Sequence, residues 1–323
     1  MVDTESSKRR IQSNNNLIII RNNRGDSQIA FLFWPFSVII LYMQKVLAID
    51  LDGTLLYPYS FRHRVSKKNV KFLQRWIDAG NRVVLVSSRD AKFLRLVEKD
   101  IERKVDVIAG IGSHIEIDGR VVKHISIDNQ ALRKTIDFLD KKFRPLAYLL
   151  TTTEHPLIIR NNSVGSRILS AFYWFTWLRQ GKSREPYIIN NKMFDEEVEN
   201  GDIMKMMTFF GMGRSKKVIT KEINKILREE CPDVESSWTS IVNEITPSGC
   251  DKGAGVDYYA KYLKIKPSDV YVVGDSGNDI TMFNLYHENS YVMAKAYPSV
   301  KKYAKHVIRR VYKLDKLLLQ EEK

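Results

Sequence analysis

With 323 residues and 44% hydrophobic content, the chain is long enough for one large or two medium domains around a packed core. Its formal net charge is +14, with only +2 of it in residues 1–42, a balance that suits an anionic ligand, a nucleic acid or an acidic surface. Two cysteines, Cys231 and Cys250, exclude a disulfide framework and fit a reducing compartment, so a cytoplasmic protein is expected. The six histidines (His63, His114, His124, His155, His287 and His306) show no metal-ligand spacing, so no zinc site is expected.

Residues 1–28 are polar and Asn-rich, the composition of a disordered segment. Ile29 to Met43 is apolar but broken by Pro35 and short for a membrane helix. No A-x-A-like site follows it, which argues against a signal peptide. The favoured reading makes residues 1–42 an upstream extension with Met43 as the start; membrane attachment is the runner-up.

A βαβ rhythm begins at Met43. Val46-Leu47-Ala48-Ile49 reads as a short strand buried on both faces of a parallel sheet, and it ends in Asp50-Leu51-Asp52-Gly53-Thr54. Ser66 is a candidate N-cap for a helix with Val70, Leu73, Trp76 and Ile77 on one stripe, stopped at Gly80. Val83 to Val86 is a second buried strand, ending in Ser87-Ser88-Arg89-Asp90, with Ser87 a candidate cap for the helix that carries Phe93, Val97 and Ile101. Val105 to Ala109 is a third strand, and Ile115 to Val122 a hairpin turning at Asp118-Gly119.

The texture changes after residue 125. Leu132, Ile136, Leu139 and Phe143 predict a helix, and Phe172-Tyr173-Trp174-Phe175 with Trp177 is an aromatic cluster suited to core packing. Met204 to Phe210 predicts a Met-rich strand, and Ser215 a cap for a helix with Val218, Ile219, Ile223, Ile226 and Leu227. Roughly 115 residues of such texture suffice for a separate domain. The first rhythm returns near Ile245. Lys252 opens a helix, Val270 to Val273 is a buried strand, and Gly274-Asp275-Ser276-Gly277-Asn278-Asp279 follows it. Val300 to Leu319 reads as a basic amphipathic helix.

Three apolar strands thus end in polar clusters: Asp50/Asp52, Ser87/Ser88 and Asp275/Asp279. In a parallel sheet all three lie along one edge, where open α/β sheets bind ligands. An Asp-Gly pair alone is equally at home in a solvated turn. Several carboxylates beside a hydroxyl and the Lys252 ammonium are a different matter. Oxygen donors without thiolate or imidazole select a hard cation, of which Mg²⁺ is the usual one. Metal, lysine and hydroxyl around one dianion suit phosphoryl transfer. Asp50, at the strand end, can attack phosphorus, and Asp52 can serve as one acid/base for both half-reactions.

These residues together resemble the haloacid dehalogenase-like (HAD) superfamily: Asp50-Leu51-Asp52-Gly53-Thr54, Ser87, Lys252 and Gly274-Asp275-x-x-Asn278-Asp279 match its four motifs in order. Glu244-Ile245-x-Pro247 and Met282 match the Cof-type phosphatases, which carry a large α/β cap between the second and third motifs. The resemblance implies a Rossmann-like doubly wound core (residues 43–125 and 241–323) and an inserted α+β cap (126–240). It implies Asp50 as nucleophile and Asp52 as acid/base. Ser87, Ser88, Arg89 and Lys252 are implied around the substrate phosphate, and Mg²⁺ on Asp50, the Asp52 carbonyl and Asp275, supported by Asn278 and Asp279. The expected activity is hydrolysis of a small phosphorylated metabolite through an aspartyl-phosphate. A sugar phosphomutase is the related alternative. A non-catalytic basic binder of nucleic acid or membrane is the distant one, and the acid set argues against either partner. Two departures stand out: Ile111-Gly112-Ser113 where the family usually has Asn-Gly-Ala, and Ser87-Ser88-Arg89 where Thr-Gly-Arg is commoner.

Overall fold

The strand Val46–Asp50 (β4) is buried along its whole length, and successive side chains point to opposite faces of its sheet. Leu47 and Ile49 join a core with Phe72, Trp76, Phe93 and Val97, whereas Val46 and Ala48 join one with Val256, Tyr259, Met282 and Phe283. A strand that buries both faces has no polar side to offer, which is why it reads as a continuous apolar run.

The computed structural model describes residues 12–14, 17–21, 27–31, 44–58, 64–155, 157–161, 187–211, 214–238 and 242–319. Residues 1–44 and 45–323 form separate compact units. In the first, Gln12–Asn14 (β1), Leu17–Arg21 (β2) and Ser27–Phe31 (β3) pair as an antiparallel sheet. This corrects the expectation of disorder at residues 12–14, 17–21 and 27–28: Leu17 to Ile20 is a run of apolar, mostly β-branched residues with a local strand preference. The apolar stretch through Met43, and with it the membrane reading, falls largely outside the described residues. Among those residues, no helix is long and apolar enough to cross a membrane.

In the second unit β4 lies near the middle of an eight-stranded sheet. The others are Arg82–Val86 (β5), Asp106–Ala109 (β6), His114–Ile117 (β7), Arg120–His124 (β8), Val270–Gly274 (β15), Ser290–Met293 (β16) and His306–Ile308 (β17). Their order is β17-β16-β15-β4-β5-β6-β7-β8, parallel from β17 to β6 and antiparallel in the closing hairpin. The hairpin turns at Asp118 and Gly119, both at positive φ, the type that matches strand twist. Helices Lys67–Asp78 and Ala91–Ile101 cover one face, Lys252–Tyr262 and Ile280–Leu285 the other. Ser66 caps the first helix as expected, accepting from Asn69 N at 3.3 Å. The cap of the second is Asp90, not Ser87.

A second, six-stranded sheet is built by Ala147–Thr152 (β9), Leu157–Asn161 (β10), Tyr187–Ile189 (β11), Ile203–Phe209 (β12), Val234–Trp238 (β13) and Val242–Pro247 (β14), in the order β11-β10-β9-β12-β14-β13. Helices Asn129–Lys142, Asn191–Asn200 and Arg214–Glu230 pack on it through Leu132, Ile136, Phe194, Ile223 and Leu227. Two expectations are corrected here. The helix begins at Arg214, so Ser215 lies inside it. And β14 belongs to this sheet, so the return to the first sheet comes after Pro247 rather than at residue 241. The aromatic cluster at 172–177 lies outside the described residues. The expected helix over 300–319 is also replaced: Pro298–Lys301 is one helical turn, and His306–Ile308 adds a parallel strand beside β16.

Candidate active site

The three polar clusters lie together because β15, β4 and β5 are parallel neighbours and each ends in one. Asp50 is the last residue of β4. Lys252, 1% exposed, sits at the first turn of its helix with Nζ 2.6 Å from both Asp50 Oδ1 and Asp279 Oδ1. Asp251 caps that helix, accepting from Ala254 N, which fixes where Lys252 starts. Asp279 Oδ2 accepts from the Asp275 and Ser276 amides, so its carboxylate clasps the loop after β15.

Asp50, Asp275 and Asp279 each place a carboxylate oxygen within 4.8 Å of the others. Lys252 and Lys295, whose Nζ lies 3.1 Å from Asp275 Oδ2, oppose these three charges with two. Burial pushes the Asp50 carboxyl well up; Lys252 pulls it down, and Asp279 and Asp275 add to the rise. Asp275 is raised by burial and by Asp279, against Lys295. Lys252 loses affinity for its proton through burial, but Asp279 and Asp50 outweigh that and hold it charged. Asp50 Oδ2 is buried with no hydrogen-bond partner among the described residues. A buried, unpartnered carboxylate oxygen is costly unless a cation meets it. An all-oxygen acid cluster around it fits a hard divalent ion.

Gly53 sets the shape of the loop. It has φ +88°, and a Cβ there would stand 2.4 Å and 2.6 Å from the Asp275 carboxylate oxygens. Gly53→Ala therefore meets both an unfavourable backbone region and the acid cluster. It is expected to cost on the order of 2 kcal/mol and most of the catalytic activity, read by thermal melts and initial rates.

The other expected residues divide. Ser87, 1% exposed, lies at the C-terminal end of β5, its Oγ accepting from Arg89 N. Ser88 follows it, with its carbonyl accepting from Lys205 Nζ. Arg89 grips Asp52 with two hydrogen bonds of 2.6 and 3.0 Å and lies 4.2 Å over the Phe93 ring. The Asp52 carboxylate is thus outside the acid cluster. Asn278 donates to Glu244 Oε2 at 2.9 Å and accepts from Ser276 Oγ, so its side chain braces the loop. Cys250 is buried and its thiol pushed up by burial, consistent with packing.

Sequence reasoning missed three residues. Lys205 on β12 is 3% exposed and reaches from the second sheet to the loop after β5; Lys295 joins Asp275; Trp238 on β13 packs against Gly277 of the acid loop. Lys205 sits between Met204 and Met206 in an apolar strand, and a charge in such a run was the available signal. Ile111, the departure noted above, adopts φ +58° while buried, with its amide donating to the Ser87 carbonyl. Asn tolerates that region more readily than a β-branched residue does, so backbone strain here is offset by burying the side chain.

Acids, a hydroxyl and a buried lysine lie on the carboxyl edge of a parallel sheet, where enzymes of the doubly wound α/β class bind their ligands. The sequence pattern of the haloacid dehalogenase-like hydrolases matches residues 47–315, and the chain belongs to that family. Among its relatives, the 5-amino-6-(5-phospho-D-ribitylamino)uracil phosphatase YwtE of Bacillus subtilis is 26% identical over 261 residues, covering 75% of this chain and 85% of its own. The crystal structure of SMU.1108c from Streptococcus mutans superposes with a TM-score of 0.71 at 20% identity, over 86% of this chain and 100% of that one. The subclass IIB sugar phosphatase BT4131 gives 0.65 at 22%, over 85% and 98%. The resemblance read from the four motifs is borne out, as is the mixed α/β fold.

Proposed function

We propose that this enzyme is a Mg²⁺-dependent phosphatase that hydrolyses a small phosphorylated metabolite, a sugar phosphate or similar, through an aspartyl-phosphate on Asp50. The observation that carries the reading is the Asp50 carboxylate: one oxygen is held by Lys252 and the other is buried and unpartnered among the described residues. A carboxylate oriented by a buried ammonium is what attack on phosphorus needs. The names of YwtE and BT4131 point to phosphorylated sugar-like substrates for those proteins, which supports the same class here.

In the first half-reaction a carboxylate oxygen of Asp50 bonds to phosphorus as the ester P–O bond breaks, and Asp52 gives its proton to the leaving oxygen. In the second, Asp52 takes a proton from water, the water oxygen bonds to phosphorus, and the bond to Asp50 breaks, restoring both residues. For this Asp52, whose two oxygens here accept from Arg89, must leave that guanidinium and take up a proton from solvent. An arriving phosphate dianion offers that guanidinium a competing partner. Ser87 Oγ and the Lys252 ammonium donate to phosphoryl oxygens. Asp50, Asp275 and the Asp52 carbonyl are the residues that would hold Mg²⁺, with Asn278 and Asp279 in support; bound there, the ion neutralises phosphoryl charge. A cytoplasmic setting suits the two unpaired thiols.

Chelation tests the metal. Initial rates on a phosphate monoester should vanish in excess EDTA and return with Mg²⁺. Rates that ignore EDTA would contradict the assignment.

A further inference from the structure

Ten residues separate His114 from His124, a spacing that suggests no metal site. The β7–β8 register sets them opposite each other, with the two Nδ1 atoms 3.2 Å apart. His114 Nε2 lies 3.0 Å from Glu116 Oε1, and His124 Nε2 lies 2.9 Å from Asp202 Oδ2. Both carboxylates are fixed in turn. Arg95 donates to Glu116, and Thr153 and Ser126 donate to Asp202.

Proton counting shows what this arrangement lacks. A carboxylate only accepts, so each Nε2 must carry a hydrogen. A neutral imidazole has one hydrogen, and both are then spent. Each Nδ1 is left with a lone pair, and the two lone pairs face each other within hydrogen-bond distance. An electrophile must lie between them: a shared proton or a metal ion. Carboxylates on the far nitrogens of paired histidines are the outer partners that orient imidazoles toward metals. Imidazole nitrogen selects zinc, copper or nickel over Mg²⁺, which separates this pair from the all-oxygen cluster at Asp50. The surrounding charge favours a cation, since among the described residues that contact Glu116 and Asp202 Arg95 is the one permanent cation. Side-chain exposures of 13% and 27% for His114 and His124 leave a route from solvent.

We propose that His114 and His124 bind a transition-metal ion, Zn²⁺ or a close analogue, through their Nδ1 atoms, with water completing the coordination. Asp202 stands just before β12 of the second sheet, and His124 ends β8 of the first. The paired imidazoles therefore lie where the two sheets cross, and Asp202 of the second holds His124 of the first.

The test is calorimetric titration of the full chain with ZnCl₂ in saturating MgCl₂, which occupies the oxygen cluster. One Zn²⁺ should bind. His124→Gln should abolish that binding, and Asp202→Asn should weaken it by roughly ten- to a hundred-fold. Cu²⁺ added to the wild-type protein, as a probe that needs no variant, should show electron paramagnetic resonance splitting from two imidazole nitrogens. Zn²⁺ affinity unchanged in His124→Gln, no Zn²⁺ binding at all, or a Cu²⁺ spectrum with oxygen ligands alone would each overturn the proposal; the last two would leave the shared proton as the occupant.

Discussion

Asp50→Asn is expected to lower turnover by roughly four orders of magnitude or more while the protein stays folded. The amide matches the carboxylate in size, so the packing around β4 is kept. Its oxygen still accepts from Lys252, but it is too weak a nucleophile for phosphorus. The same change has a signature in stability. The Asp50 carboxyl is held above its ordinary range by burial, against Lys252 and with Asp279 and Asp275. A group with a raised folded-state pKa contributes stability that is present below its unfolded value and is lost as pH rises through the folded one. Metal-free wild-type protein should therefore melt at a lower temperature as pH climbs from the ordinary carboxylate range toward neutrality. Asp275 is raised also and acts in the same direction. The Asn variant lacks the Asp50 contribution, so its melting temperature in EDTA should depend less on pH. Melts of both proteins at about pH 5 and about pH 8 check the sign. A steeper dependence in the variant would contradict it.

Lys252→Met carries the second large effect. Lys252 bridges two carboxylates from inside the protein, and its removal leaves Asp50 and Asp279 buried, like-charged and without their shared cation. Breaking such a buried pair typically costs about 3–5 kcal/mol. In a chain of this size that corresponds to a fall of roughly 10 °C in melting temperature. The loss should be smaller at low pH, where a protonated carboxyl relieves the repulsion, and smaller with Mg²⁺ present, which restores positive charge. Activity should fall by about a hundred- to a thousand-fold, because a cation preorganised at the phosphoryl oxygens is gone. Methionine keeps most of the side-chain volume, so the measurement reads charge rather than a cavity.

Much of the first sheet was legible because its central strands bury both faces and announce themselves as apolar runs. Their carboxyl ends carry the acids and the serine, so parallel pairing was enough to gather Asp50, Ser87 and Asp275. What stayed hidden depended on contacts remote in sequence. Val242–Pro247 has the pattern of a core strand, and nothing local says that it pairs with β12 and β13 in the other sheet. His306–Ile308 lies in a basic stretch with helical spacing, yet pairing with β16 draws it out as an edge strand. Lys205 and Lys295 reach the site from a Met-rich strand and from the segment after β16, and only the fold brings them near the Ser88 carbonyl and Asp275. Arg89 was placed at the substrate phosphate, but in this conformation its guanidinium grips Asp52. Ser87 and Asp90 are both good caps, and geometry alone chose between them.

As proposed, this acid, serine and lysine site removes phosphate from a small ester, with Asp50 as the attacking group. The most direct measurement is inorganic phosphate release, with Mg²⁺, from a panel of sugar phosphates, nucleotides and cofactor phosphates, run side by side on wild type and Asp50→Asn. Release from at least one small ester by the wild type, and none above background by the variant, is the expected result. Equal release by both proteins, or no release by the wild type across the whole panel, would contradict it.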